Sequence, residues 1–189
     1  MPLPPTESRP LWAVGARRAA PPAPELSGLI STLRRLSAES ESLVSLFDAR
    51  AIAGERHLLS AWAHLGRSRT RGDSRLRDRG AEFALHVAGD DQLPRALQKV
   101  GVRTDTEEFV VVGEKARERV PVLEAFGLVE DPTVFPRPVS EAMLDRLGIG
   151  ADERSAVTAA QWEGLVLERV AMLELSAPAK SGPGPTARH

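Results

Sequence analysis

The chain contains no cysteine and no tyrosine, and its only lysines are Lys99, Lys115 and Lys180. Without cysteine there can be no disulfide, no thiolate metal site and no thiol nucleophile. This fits a reducing compartment, and the cytoplasm is the expected location. No run of about 18 apolar residues exists to span a bilayer. The opening "MPLPPTESRP" lacks the basic-then-apolar pattern of a signal peptide. Net charge is −1, so no global field draws the molecule to nucleic acid or acidic lipid, and any such attraction has to be local. Also missing are a GxSxG elbow, a phosphate-binding glycine loop, a dinucleotide fingerprint and the kinase catalytic motifs. No enzyme class is marked.

What is present suits one globular domain. Of the 189 residues, 42% are apolar and 27% charged, enough for an ordinary core. Residues 1–9 and 176–189 are rich in proline, glycine and small polar residues, and both are expected to be disordered tails around a domain at 10–175. Strands are expected at "LWAVGAR" (11–17), "SLVSLF" (42–47) and "EFVVVG" (108–113), with "TVF" (133–135) as an edge strand between prolines. Helical spacing runs through Leu26, Ile30, Leu33 and Leu36. It recurs through Leu58, Ala61, Trp62 and Leu65, stopped by Gly66. Further helices follow around Phe83–Ala88, Leu93–Val100 and Ala116–Phe126, then after Ser140, and finally at 159–175. The expected fold is α+β, a small mixed sheet of short strands covered by several helices.

"HVAGDDQLPRAL" (86–97) stops one helix at Gly89 and begins another after two aspartates. Asp90 and Asp91 invite a metal-dependent hydrolase reading with a histidine as helper, but spacing marks no further ligand. An aspartate cap accounts for the junction without chemistry, since replacing a cap typically loses ~1 kcal/mol. No metal site is expected. His57 and His64 lie seven apart, too far for the i, i+4 pair of an HExxH zinc helix. Glu82 and His86 have the spacing to pair on a helix surface.

Two stretches point outward. "GRSRTRGDSRLRDRG" (66–80) gathers Arg67, Arg69, Arg71, Arg75, Arg77 and Arg79 against Asp73 and Asp78 only. On a loop between helices, such a cluster suits an RNA backbone, because the guanidinium fork matches phosphate and its plane stacks on bases. A solvated loop in an arginine-biased composition is the plainer alternative. The final helix, "QWEGLVLERVAMLEL", sets Trp162, Leu165, Val166, Val170 and Leu173 on one face, with Leu167, Ala171 and Leu175 roughly opposite. A helix apolar nearly all round is covered on both sides, either by its own domain or by a second protein.

Three segments, "DARAIAGERHLLSAWAHL", "EFALHVAGDDQLPRALQKVGV" and "LVLERVAMLEL", resemble in order and spacing the kinase-binding subunit of the KEOPS complex. The middle motif is matched by Gln92, Leu93, Ala96 and Gly101, and the last by Leu167, Glu168, Arg169 and Ala171. His57, Ala61 and Glu82 also stand where that family has His, Ala and Glu. The resemblance implies a non-catalytic, archaeal-type subunit without cofactor. Such a subunit binds and stimulates the complex's atypical kinase/ATPase and helps recruit tRNA by its 3′ CCA end. The carbamoyl-transferase subunit, an indirect partner, carries the threonylcarbamoyladenosine chemistry. Arg56, His57, Gln92 and Arg95 then join the six arginines as expected RNA contacts. Leu167, Ala171, Met172 and Leu175 become the expected kinase interface. One departure stands out: the family's arginine before the glutamine is Asp91 here, a charge reversal that favours a rival reading, a kinase regulator without tRNA affinity.

Overall fold

The computed structural model describes residues 11–19 and 26–175. Four strands, β1 (Trp12–Arg18), β2 (Val44–Asp48), β3 (Glu108–Gly113) and β4 (Leu128–Glu130), form one sheet in the order β2-β3-β1-β4. Every pairing is antiparallel, which corrects the expected mixed sheet. Neighbours in the sheet are never joined directly. β1 reaches β2 through α1 (Leu26–Ser40), and β3 reaches β4 through α5 (Arg119–Ala125). This is the interlocked connectivity of split β-α-β folds: β1 and β2 run parallel with β3 between them, and β3 and β4 run parallel with β1 between them.

The long excursion from β2 to β3 carries α2 (Glu55–Arg71), α3 (Arg79–Ala88) and α4 (Leu93–Val100). After β4 come α6 (Glu141–Leu147), α7 (Ala151–Ser155) and α8 (Trp162–Leu175). The sheet therefore separates two cores. On one face Val14, Val44, Leu46, Phe109 and Val111 pack with α1 and α5. On the other, Phe47, Val110 and Val112 meet α2, α3, α4, α6 and α8. β3 is central and covered on both faces, so it reads as an unbroken apolar run instead of an alternating one.

Several boundaries differ from the sequence reading. α2 passes through Gly66 and stops at Gly72, whose φ of 70° and amide bonds to the carbonyls of Ser68 and Arg69 make the helix stop. Gly66 lies on the open side of α2, where the local cost of glycine, about 1 kcal/mol, is outweighed by burial of Leu65 and Ser68 around it. "TVF" is not a strand. Asp131 takes the amide and hydroxyl of Thr133 into a turn, and the backbone crosses over Gly15 of β1. A Cβ at Gly15 would lie 2.6 Å from the Phe135 amide nitrogen, so only glycine admits that crossing. The edge strand forms instead at Leu128–Glu130, paired with Ala16–Arg18. The five-residue α7 had no apolar period to announce it. Both expected tails lie outside the described residues.

Candidate nucleic-acid and partner interface

The arginine segment is only partly a loop. Arg67, Arg69 and Arg71 occupy the last turns of α2, and the chain then doubles back so that Arg79 opens α3. Carboxylates remote in sequence meet most of these side chains. Glu82, fully buried on α3, accepts from Arg69 (2.9 Å), the Ser74 hydroxyl (2.5 Å) and the Arg75 amide (2.8 Å). Glu174 near the end of α8 is shared by His64, Arg67 and Arg71. The Arg75 guanidinium donates to the Leu173 carbonyl at 2.9 Å. Arg79 pairs with Glu114 at 2.9 Å and lies over the Trp62 ring, 5.3 Å from its centroid. Of the six, Arg77 alone is exposed without such a partner among the described residues. The cluster fastens α2, α3 and α8 to one another, and its positive charge is largely balanced by residues that local composition could not show.

Glu174 carries the electrostatic signature of this knot. Burial works to raise its pKa, but bonds from Arg71 and His64 outweigh that and hold it at about 2. On the opposite end of α8, Arg56 pairs with Glu163 at 2.9 Å while keeping most of its side chain in water.

His57 is placed where no RNA can reach it. It is fully buried, its Nε2–H donates to the Val87 carbonyl (2.8 Å) and its Nδ1 accepts from the Ala53 amide (3.2 Å). Burial pushes its pKa down to about 4. It is a neutral strut between α2 and α3, which corrects its expected role as an RNA contact. Glu82 and His86 do not pair on the surface either: both are buried, and Glu82 turns to Arg69 of α2. His86 stacks on His64 with ring centroids 6.4 Å apart, and neither of its ring nitrogens has a hydrogen-bond partner among the described residues. Its pKa is also lowered to about 4, by burial first, with His64 and Arg75 adding to the effect and Glu82 opposing it.

At the junction, Gly89 ends α3 with φ of 57°. A Cβ there would lie 2.5 Å from Arg169 Cγ and 2.9 Å from the Arg169 carbonyl oxygen, so this glycine also admits α8 against α3. Asp90 accepts from the Gln92 amide (3.0 Å), Arg95 (3.0 Å) and Lys99 (3.1 Å), and Asp91 pairs with Arg95 (2.8 Å). Burial favours protonating Asp90, but these donors prevail and keep it below its ordinary range. The expected cap needs one correction. Asp90 closes a turn on Gln92, and Gln92 itself holds the cap position of α4 with no side-chain bond. Among the described residues no three histidines, aspartates or glutamates are grouped to hold a metal ion. Gln92 is exposed, and Arg95 is bound to both aspartates.

α8 resolves the question its sequence left open. Val166, Val170 and Leu173 are buried against α2 and α3. The outer side is not covered: Leu167 and Ala171 are half-buried, Met172 is 56% exposed and Leu175 77%. Of the four side chains expected at a kinase interface, Met172 and Leu175 are exposed and Leu167 and Ala171 are half-buried. Sequence reasoning missed a second buried ionic centre, in which Asp48 at the end of β2 receives Arg50 (2.7 Å) and Arg146 of α6 (3.0 Å). Nothing in the local pattern of "FDAR" marks it, because Arg146 is brought in by the tertiary fold. No helix among the described residues is long and apolar enough to cross a membrane. Comparison with protein-family models and with curated proteins finds no match to this chain.

Proposed function

We propose that the protein is a non-catalytic subunit that docks on an atypical kinase/ATPase of the KEOPS type and helps that complex recruit tRNA. The observation that carries this reading is the outer face of α8. Leu167, Ala171, Met172 and Leu175 form an apolar strip on a helix whose inner face is already buried. Such a strip is costly to leave in water and suits a protein partner. Replacing Met172 and Leu175 by glutamate should abolish co-purification with the KEOPS-type kinase of the same organism while leaving the unfolding transition unchanged. Wild-type-like kinase binding by the double variant would rule the α8 interface out.

The tRNA half rests on Arg77 and the half-exposed Arg67 and Arg71, with Gln92 and Arg56 elsewhere on the surface. Binding should weaken steeply with salt if these neutralise phosphates. A mobility-shift series with intact and CCA-trimmed tRNA tests the 3′-end preference, and equal affinities would end it. One observation favours the second reading, a kinase regulator without tRNA affinity: most of the arginines already have carboxylate or carbonyl partners inside the chain. In that case Arg77→Glu leaves tRNA modification by the assembled complex unaltered.

A further inference from the structure

Among the described residues β2 is the outermost strand of the sheet on its side, with β3 on one edge and no strand on the other. The Leu43 carbonyl accepts the Glu114 amide at 3.2 Å, which puts Leu43, Ser45 and Phe47 in the hydrogen-bonded register with β3. In an antiparallel ladder the alternate residues then turn their N–H and C=O away from the partner strand. Those residues are Val44 and Leu46, and their outward main-chain groups have no partner among the described residues. Both residues are nevertheless buried, at 3% and 7% exposure. Buried main-chain groups are almost always paired, so an unpaired pair here is unusual.

The space beside them is a groove of about 950 Å³. α1 forms one wall, with Leu29, Ile30 and Leu33, and the start of α3 together with Leu93 and Leu97 of α4 forms the other. Ile30 and Leu97 stand on opposite rims, nearly half exposed. Sheet edges are ordinarily blunted by charge, proline or a covering element. The β2 sequence "VSLFD" has an aspartate only at its far end, and that carboxylate is turned to Arg50 and Arg146. The groove also has charge: Arg34 and Arg77, exposed on opposite walls, have no ionic partner among the described residues. Of the other charged groups lining it, Arg79 is held by Glu114, and the counter-charges are Glu41 and Asp78, whose carboxylate also accepts the Ala81 amide.

We propose that this groove is a strand-addition site, which takes an extended segment of another protein along β2, apolar at alternate positions and carrying carboxylates toward Arg34 and Arg77. The unpaired amides and carbonyls of Val44 and Leu46 call for a main chain, not for a side chain or a small apolar molecule. At ~3.4 Å per residue, the five residues of β2 match an equally short guest strand. A second copy of this chain is a poor guest. The edge is recessed between two helical walls, and another sheet edge would bring its own walls into collision with them. The site lies on β2 between α1 and the α3–α4 wall, shares Arg77 with the tRNA reading above, and is independent of the α8 strip.

The test is amide hydrogen exchange on the isotopically labelled full chain. The probe is a blocked octapeptide alternating valine with glutamate or threonine. In the free chain the Val44 and Leu46 amides should exchange quickly, and the peptide should slow them by at least about tenfold. A peptide N-methylated at alternate positions should fail, a lysine-for-glutamate peptide should bind several-fold more weakly, and the paired substitutions Arg34→Glu and Arg77→Glu should invert that preference. Met172→Glu with Leu175→Glu should leave the protection untouched, which separates this site from the kinase-docking reading. The proposal is overturned by any of four results. These are slow exchange of both amides in the free monomer, protection that instead rises with protein concentration, protection by a short single-stranded RNA ending in CCA but not by the peptide, or no protection at millimolar peptide.

Discussion

The arginine segment at 66–80 and the outer face of α8 meet around Glu174, yet the fold supplies partners to the first and not to the second. The segment looks like a free cationic patch in the sequence, and the fold pairs most of it with Glu82, Glu174, Glu114 and the Leu173 carbonyl while Arg67 and Arg71 stay half in water. α8 looks like a helix buried on all sides, and the fold covers only half of it. Charge clustering along a chain counts only the charges that are close in sequence. Whether a guanidinium is free depends on carboxylates tens of residues away. The apolar excess of α8, by contrast, exceeds what its neighbours α2 and α3 cover, which leaves Met172 56% and Leu175 77% exposed.

The sharpest way to break this comparison is to remove the carboxylate at its centre. Glu82→Ala strands Arg69 and leaves the Arg75 amide without its acceptor, while the Ser74 hydroxyl keeps only the Leu76 carbonyl. Loss of one partner of a buried pair costs about 3–5 kcal/mol, and the lower end applies because Arg69 retains contact with water. Urea denaturation should show it. An unchanged midpoint would mean that the segment is a free surface after all.

Next comes the contrast within α8. Leu173→Ala on the inner face should cost about 2–5 kcal/mol through lost packing and the cavity left behind. Met172→Ala one residue earlier should stay within about 0.5 kcal/mol. Equal losses at the two positions would deny that the helix has a covered and an open side.

The two buried histidines sharpen the comparison through pH. His57 and His86 are both lowered from 6.5 to about 4, so between those values the unfolded chain binds protons that the folded chain refuses. Stability is complete above about pH 6.5 and falls as the pH drops toward 4, by roughly 3 kcal/mol for each histidine. Glu174, depressed from 4.5 to about 2, stabilises the fold above pH 4.5 and adds a further loss as the pH falls through that lower window. The histidines separate on substitution. His57→Leu abandons the Val87 carbonyl and the Ala53 amide and should destabilise at neutral pH. His86→Leu removes two nitrogens that had no partner, so it should be neutral or stabilising and should reduce the acid-side slope. Denaturation midpoints from pH 4 to 8 for the two variants distinguish these outcomes.

The smallest expected effect is at Arg77. Its replacement by alanine should leave stability within about 0.5 kcal/mol and, if tRNA binds here, reduce the salt slope of binding by about one charge. A stability loss as large as that of Glu82→Ala would place Arg77 in the knot with its neighbours.

Much of the fold was legible because the signals are local. Helical periodicity located α2, α3, α4, α6 and α8, and "EFVVVG" coincided with β3 residue for residue. Gly89 was legible as a helix stop, though its second task, admitting Arg169, was not. Antiparallel pairing throughout the sheet, the crossing of residues 131–135 over Gly15 and the passage of α2 through Gly66 were not legible, because each is decided by what packs against the segment. The candidate site divides in the same way. Met172 and Leu175 were readable as apolar residues in excess, while His57 carried no mark in the sequence of its two buried hydrogen bonds.

By itself the sequence determined most of the longer elements, the α+β class and the presence of a surplus apolar face on α8, since backbone propensity and side-chain period act over a few residues. Only the tertiary structure decided which arginines are already paired, which histidines are sealed from water and which sheet edge lies open. Those outcomes depend on hydrogen bonds and ion pairs between residues that the chain separates and the fold brings to within 3 Å or so.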